Sequence, residues 1–181
     1  MTEAVAEIRP ATENDAAALS SFAAAVFPLG GSPDAHPSDL ARYIAAELTT
    51  ERFAAMIQDR NSEILLAENA NGLCGYALVV ESSPHPQIEA TAPAELRKFY
   101  VAPAYHGAGV ADTLMRKVIA NLEGRRREVA WLSVFSENPR AVAFYERWGF
   151  HVVGAQDFLV GADRQRDFVM RRDLRLRSGS R

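Results

Sequence analysis

The apolar positions of the chain first fall into register at Leu19, Phe22, Ala23, Val26 and Phe27. These lie at i, i+3, i+4, i+7 and i+8 and predict a helix with one apolar face. Ahead of it, residues 4–10 read as a short strand that stops at Pro10, which has no N–H for a ladder. Thr12 with Asp15 three residues on is a helix start of the capping-box kind. Pro28-Leu29-Gly30-Gly31-Ser32-Pro33 breaks the helix and makes a loop. Leu40, Tyr43 and Ile44, then Phe53, Met56 and Ile57, repeat the helical spacing and predict two short helices.

From Ser62 the pattern changes to β-rich runs. Residues 63–68 and 73–81 are joined by Asn69-Ala70-Asn71-Gly72, whose Asn-Gly is a hairpin signal. Ser83-Pro84-His85-Pro86 is a loop, and residues 94–101 form a strand that Pro103 stops. Val110, Leu114, Val118 and Leu122, with Ile119 beside them, predict a helix running to Gly124. Residues 128–135 follow as a strand. Asn138-Pro139 places a cap and a first-turn proline at the start of another helix, with Ala141, Phe144, Tyr145 and Trp148 on its buried face and Gly149 at its end. Residues 150–154 and 166–170 read as closing strands. The chain has no internal repeat, low-complexity segment or linker, so residues 1–181 are expected to form one mixed α/β domain.

Composition narrows the function more than the fold. An apolar fraction of 48% and a charged fraction of 24% belong to an ordinary globular chain. A net charge of −3 and a pI near 5.8 weigh against general nucleic-acid binding. Cys74 is the only cysteine, which removes a disulfide framework and a cysteine-based metal cluster and fits a reducing cytoplasm. It sits in a strand-like run and reads as a small core residue. The first ten residues carry two glutamates and lack the order of a secretory signal, and no apolar run is long enough to cross a bilayer. No membrane partner is expected.

The most informative segment is Phe99-Tyr100-Val101-Ala102-Pro103-Ala104-Tyr105-His106-Gly107-Ala108-Gly109-Val110-Ala111. A strand runs into a glycine-bearing turn that opens an amphipathic helix. Such a turn aims backbone N–H groups at one spot, and the helix N-terminus adds partial positive charge. Together these make a pyrophosphate site, with the glycines letting phosphate oxygens come close. The same glycines also fit an ordinary turn. The segment is neither a Rossmann fingerprint, which needs a third glycine, nor a P-loop, which needs Lys-Ser/Thr.

A second segment, Asn138-Pro139-Arg140-Ala141-Val142-Ala143-Phe144-Tyr145-Glu146-Arg147-Trp148-Gly149-Phe150, follows after Trp131-Leu132-Ser133-Val134. The pair resembles the Gcn5-related N-acetyltransferase (GNAT) family in order and spacing, and the predicted elements match over nearly the whole chain. The resemblance implies an α/β (α+β) fold with a mixed, mostly antiparallel sheet of about six to seven strands flanked by about four helices. It implies acetyl-CoA as co-substrate. The backbone of Phe99, Tyr100 and Val101 would meet the pantetheine and the acetyl oxygen. His106, Gly107, Ala108 and Gly109, with Val110, Ala111 and Asp112 opening the helix, would hold the pyrophosphate. Asn138, Ala141 and Tyr145 would complete the cofactor site. Tyr145 occupies the position of the acid that protonates the departing thiolate, and Glu95 that of a base, with Glu81 a second choice. His106 departs from the family, which usually has Gln or Arg there. It would bind phosphate as a cation or point to solvent.

The implied reaction is direct attack of an amine on the thioester in a ternary complex, without a metal or a cysteine nucleophile. Phe158-Leu159-Val160-Gly161-Ala162-Asp163-Arg164-Gln165-Arg166-Asp167-Phe168-Val169-Met170 looks like the tail of bacterial polyamine N-acetyltransferases. From the residues alone that tail is a hairpin turning at Gly161-Ala162-Asp163. Asp34, Asp39, Tyr43 and Glu47 lie in the region that shapes the acceptor site in this family. Arg125-Arg126-Arg127 reads as a solvated basic turn or a contact to the cofactor's 3′-phosphate. A protein lysine or N-terminus, an aminoglycoside, and a non-catalytic CoA sensor are the alternatives. The resemblance also allows a homodimer, and a tail after about 175 is expected to be disordered.

Overall fold

A computed structural model describes residues 6–174. The elements run in the order β1 (Glu7–Pro10), α1 (Ala16–Val26), α2 (Pro37–Glu47), α3 (Thr50–Gln58), β2 (Ser62–Asn69), β3 (Gly72–Glu81), β4 (Pro93–Val101), α4 (Val110–Gly124), β5 (Val129–Phe135), α5 (Pro139–Arg147), β6 (His151–Val160) and β7 (Asp163–Asp173). The seven strands form one sheet in the order β1-β2-β3-β4-β5-β7-β6. Only β4 and β5 run parallel, because α4 is the crossover between them. This is the expected mixed, mostly antiparallel sheet, with five helices against the expected four or so. The start of the expected first strand, residues 4 and 5, and the expected disordered tail lie outside the described residues.

Each face of the sheet buries its own core. Ala94, Leu96, Ala130, Leu132 and Met170 pack against Leu114, Met115, Val118 and Leu122 of α4 and the aromatic side of α5. Leu66, Tyr76 and Leu78 face the other way, onto Leu19, Ala23 and Val26 of α1 and Phe53 of α3. Burying each such side chain contributes roughly 1.5–3 kcal/mol, so the apolar stripes decide which helix lies on which face. Thr12 and Asp15 make the expected capping box, with Thr12 N donating to Asp15 Oδ2 at 2.7 Å.

Two local features position the site. Leu78 pairs with Lys98 and Val79 with Leu96, so Arg97 is an extra residue and β4 carries a bulge. Moreover, β4 and β5 pair only from Pro93↔Val129 to Glu95↔Trp131. Beyond Glu95, β4 has β3 on one side and no strand on the other, so the sheet splits open while both strands continue. The β6–β7 hairpin is longer than the sequence pattern predicts. Pairing continues to Val160↔Asp163, and Gly161 turns the chain at φ 62°. Residues 155–165 mix aromatic, charged and amide side chains, which hides the strand. Their antiparallel ladder and their contacts with α2 hold it.

Candidate active site

The split between β4 and β5 opens into a cleft of about 810 Å³, within the range of small-molecule sites. Its walls come from β4, α4, α5, the loop after α1, α2 and the β6–β7 hairpin.

One half of the cleft is made largely by backbone. Gly107 and Gly109 have φ of 81° and 79°, and Gly109 is the N-cap of α4. A Cβ at either position would meet nothing within 4 Å, so it is the left-handed backbone that demands glycine here. Both line the cleft with His106, Ala111 and Asp112, while Ala108 lies between them and Val110 is buried beneath the turn. The exposed His106 ring does not stand free: Nε2 donates to the Val101 carbonyl at 2.9 Å and braces the turn against the end of β4. Asp112 accepts from Trp148 Nε1 at 2.9 Å, which ties α4 to α5.

Asn138 links the two halves. Its Oδ1 caps α5 by accepting from Ala141 N at 3.1 Å, and its Nδ2 donates to the Gly30 carbonyl at 3.4 Å. Two turns on, Tyr145 is 8% exposed and still lines the cleft. Phe99, Phe144 and Phe150 surround its ring with centroids at 6.3, 5.5 and 5.9 Å. Burial among these rings pushes the phenol well above its ordinary value. It therefore stays protonated at neutral pH and can donate to a thiolate. Phe99, Tyr100 and Val101 line the open edge of β4, as the site requires.

The other half is built from side chains of distant segments. Phe27 and Tyr43 stack with centroids 4.4 Å apart, and Phe158 meets Tyr43 edge-on at 6.0 Å. Glu95 lines this half, but its Oε2 is taken by Ser83 Oγ at 2.9 Å and by Arg97 Nε and Nη2 at 3.0 and 2.6 Å. Its Oε1 has no partner among the described residues. Two groups here carry no emphasis in the sequence pattern. Asp167 on β7 is 6% exposed, and burial pushes its carboxyl up to about 6, with the Ser133 hydroxyl pulling the other way. Lys98 on β4 is 9% exposed, with Nζ 6.0 Å over the Phe27 ring and 5.9 Å over Tyr43. Burial, and then the like charge of Arg97, bring its ammonium down to about 8, with Glu47 and Glu95 opposing.

Two hydrogen bonds span the outer end of this half. Ser32 N donates to Gln165 Oε1 at 3.2 Å, and Ala162 N to Asp39 Oδ2 at 3.3 Å. These bonds bridge the loop after α1, and α2 itself, to the β6–β7 hairpin.

Other expected residues serve elsewhere. Tyr43 and Glu47 line the cleft, Asp39 holds the hairpin turn, and Asp34 is exposed outside the cleft. Glu81 is no base for this site: Arg125 and Arg127 hold it at 2.6 and 3.1 Å, away from the cleft. Those arginines follow the C-terminus of the 15-residue α4, about 22 Å along the axis from the glycine turn. They form an ion-pair cluster with Glu63 and Glu81. Cys74 is fully buried beside Ala67 and Val110, as a core residue should be. Among the described residues no group of three His, Cys, Asp or Glu side chains could hold a metal ion, and no helix is long and apolar enough to cross a membrane.

A sequence profile of the acetyltransferase (GNAT) family matches residues 33–150. An uncharacterized N-acetyltransferase of Mycobacterium tuberculosis is 36% identical over 160 residues, which cover 88% of this chain and 98% of that one. N-alpha-acetyltransferase RimI of the same organism is 31% identical over 107 residues, covering 59% of this chain and 63% of that protein. The fold resembles that of PaiA N-acetyltransferase from Thermoplasma acidophilum, solved in complex with coenzyme A. The TM-score is 0.74 at 20% identity, over 93% of this chain and 98% of that one.

Proposed function

This chain belongs to the acetyltransferase (GNAT) family and is an acyltransferase of the N-acetyltransferase type, and we propose that it moves the acetyl group of acetyl-CoA onto the primary amine of a small molecule. The observation that carries the reading is the cleft itself. A glycine turn at a helix N-terminus, an open strand edge and a buried, protonated tyrosine line one continuous space with a buried carboxylate. The turn at His106, Gly107, Ala108 and Gly109, followed by Val110 and Ala111, suits the pyrophosphate of acetyl-CoA, whose pantetheine would lie along Phe99–Val101 beside Asn138 and Ala141. A PaiA N-acetyltransferase of like fold binds coenzyme A, which supports this placement. The Asp112 side chain is engaged by Trp148, so its part in holding phosphate would fall to its backbone N–H in the first helical turn.

In the proposed step the amine nitrogen attacks the thioester carbonyl, a C–N bond forms and the C–S bond breaks. The amine proton passes to a carboxylate, and Tyr145 gives its proton to the coenzyme A thiolate. Asp167 is the better placed acceptor of the amine proton. It is buried, lacks an ion pair among the described residues, and sits near 6, where a base is ionised at neutral pH yet still basic. Glu95 is the second reading, favoured by its unpartnered Oε1, although Arg97 and Ser83 hold the other oxygen.

The bridged outer end supports a small acceptor over a protein chain, which needs an open groove. The polyamine suggested by the tail finds aromatic walls and the carboxylates of Glu47, Glu95 and Asp167. Against it, Glu47 and Glu95 are already paired with Arg52 and Arg97, and Lys98 would repel a polycation. The test is incubation with acetyl-CoA and a panel of amines, including spermidine, amino acids and aminoglycosides. N-acetylated product and free thiol should appear in equal amounts. Coenzyme A binding without any product would leave the sensor reading in its place.

A further inference from the structure

The charges of the acceptor half are not all paired, and the remainder is specific. Arg97 holds Glu95 at 2.6 Å, and Arg52 holds Glu47 at 3.3 Å. Among the described residues, Lys98 and Asp167 on this face have no ion pair; they are of opposite sign, both buried and both lining the cleft.

Lys98 is the more demanding of the two. Its side chain is mostly buried, and burial disfavours the ammonium unless an anion or several acceptors replace the lost hydration. The Phe27 and Tyr43 faces at 6.0 and 5.9 Å return about 0.5–2 kcal/mol, and the nearby carboxylates that favour the charge, Glu47 and Glu95, are each already ion-paired to an arginine. Its neighbours on the same side of β4, and the aromatic pair above it, would accept a methionine or leucine. A buried cation that faces the substrate space and has no ion pair of its own among the described residues is accounted for when the substrate brings the counter-charge.

We propose that Lys98 recognises a carboxylate on the acceptor, so that the molecule acetylated here is a small zwitterionic amine, its anion on Lys98 and its amine on Asp167. The inference rests on the acetyl-transfer reading and deepens it. A single residual cation matches a carboxylate. A phosphate dianion would call for a second cation, and Arg52 and Arg97 are committed to Glu47 and Glu95. The bridges from Ser32 to Gln165 and from Asp39 to Ala162 keep the site short, which suits a free amino acid better than a peptide.

Matched pairs of acceptors that differ only in the carboxylate test this: L-methionine with 3-(methylthio)propylamine, L-phenylalanine with phenethylamine, and L-lysine with cadaverine. The readout is the ratio of kcat/KM within each pair, for wild type and Lys98→Met, with spermidine and a short peptide alongside. Wild type should favour the carboxylate member of at least one pair by about tenfold or more, and K98M should bring that ratio to within about twofold of one. A preference for the carboxylate-free partners, for spermidine or for the peptide, or a ratio that K98M leaves intact, overturns the proposal. Calorimetric binding of the N-acetylated products of each pair, to free and to coenzyme A-loaded protein, reads the same ratio without turnover. Equal binding there also overturns it. Coenzyme A titrated alone separates the two layers. If coenzyme A fails to bind, the acetyl-transfer reading falls. If it binds and the pairs are not distinguished, only the Lys98 assignment falls.

Discussion

The two halves of the cleft are built by different means. The half proposed for the donor is backbone: two left-handed glycines, the first turn of α4 and an unpaired strand edge, all within residues 96–112. The half proposed for the acceptor is side chains from α1, α2, β4 and the β6–β7 hairpin, whose members are up to 140 positions apart, as Phe27 and Asp167 are. A contiguous backbone device serves one unvarying ligand and can persist while the other half changes. A half assembled from scattered side chains can be altered one residue at a time, which is how one scaffold takes different acceptors.

If the halves are separable, substitutions in one should leave the other's readout in place. Asp167→Asn should have the largest effect, lowering kcat/KM by about a hundredfold or more, as loss of a general base does, while coenzyme A affinity stays within about twofold. The same variant should be more stable than wild type at pH 7, by about 2 °C or more in Tm, because a buried carboxylate no longer has to ionise. The sign follows from the raised carboxyl. The folded state holds its proton up to about pH 6, whereas the unfolded chain releases it near 4, so wild-type stability falls as pH rises between them. The advantage of D167N should therefore be absent below about pH 4, grow to about pH 6 and stay level above. An advantage that shrinks with rising pH contradicts the burial argument.

Tyr145→Phe should cost about ten- to a hundredfold in kcat with little change in coenzyme A affinity, since only the proton donor is removed from the aromatic cluster. Lys98 gives a pH signature of the acceptor half. The carboxylate preference should decline as pH rises above about 8, where the ammonium is lost. Burial lowers this value most, Arg97 lowers it further, and Glu47 and Glu95 oppose both, while the Phe27 and Tyr43 faces lie beside the ammonium. A ratio measured between pH 6.5 and 9 that stays flat breaks that part of the comparison.

In the donor half, Gly109→Ala should cost about 1–2 kcal/mol from the left-handed backbone alone and weaken coenzyme A binding, leaving acceptor preference unchanged. His106→Ala should be the mildest, changing coenzyme A affinity by less than G109A does, because Nε2 is spent on the Val101 carbonyl. A large, pH-dependent loss in H106A would mean that the ring turns to the phosphate as a cation when the ligand arrives.

The difference between the halves also explains what the sequence made legible. Val110, Leu114, Val118 and Leu122 repeat at helical spacing, so α4 and the glycine turn ahead of it stood out as a unit. Asn138-Pro139 marked α5 by its cap, and the structure puts Oδ1 on Ala141 N as that spacing requires. Glu95 was legible as a carboxylate on the right strand, but its engagement by Arg97 depends on a bulge that no periodicity announces. Lys98 reads as an ordinary strand lysine, because lysines are seldom buried and the bulge at Arg97 changes which face it takes. Asp167 was hidden by the length of β7. Read from residue 166, the strand is too short to show an inward alternation. Read from Asp163, Gln165, Asp167 and Val169 fall on one buried face.

The central claim is that a protonated tyrosine and a buried carboxylate turn a coenzyme A site into a transferase. Its most direct test is acetyl-CoA-dependent thiol release across the amine panel, with wild type and Tyr145→Phe side by side and coenzyme A affinity measured on both. The account predicts release with a small amine that collapses in the variant while coenzyme A binds equally to the two proteins. Equal release from both proteins, or tight coenzyme A binding with no release from any amine, contradicts it.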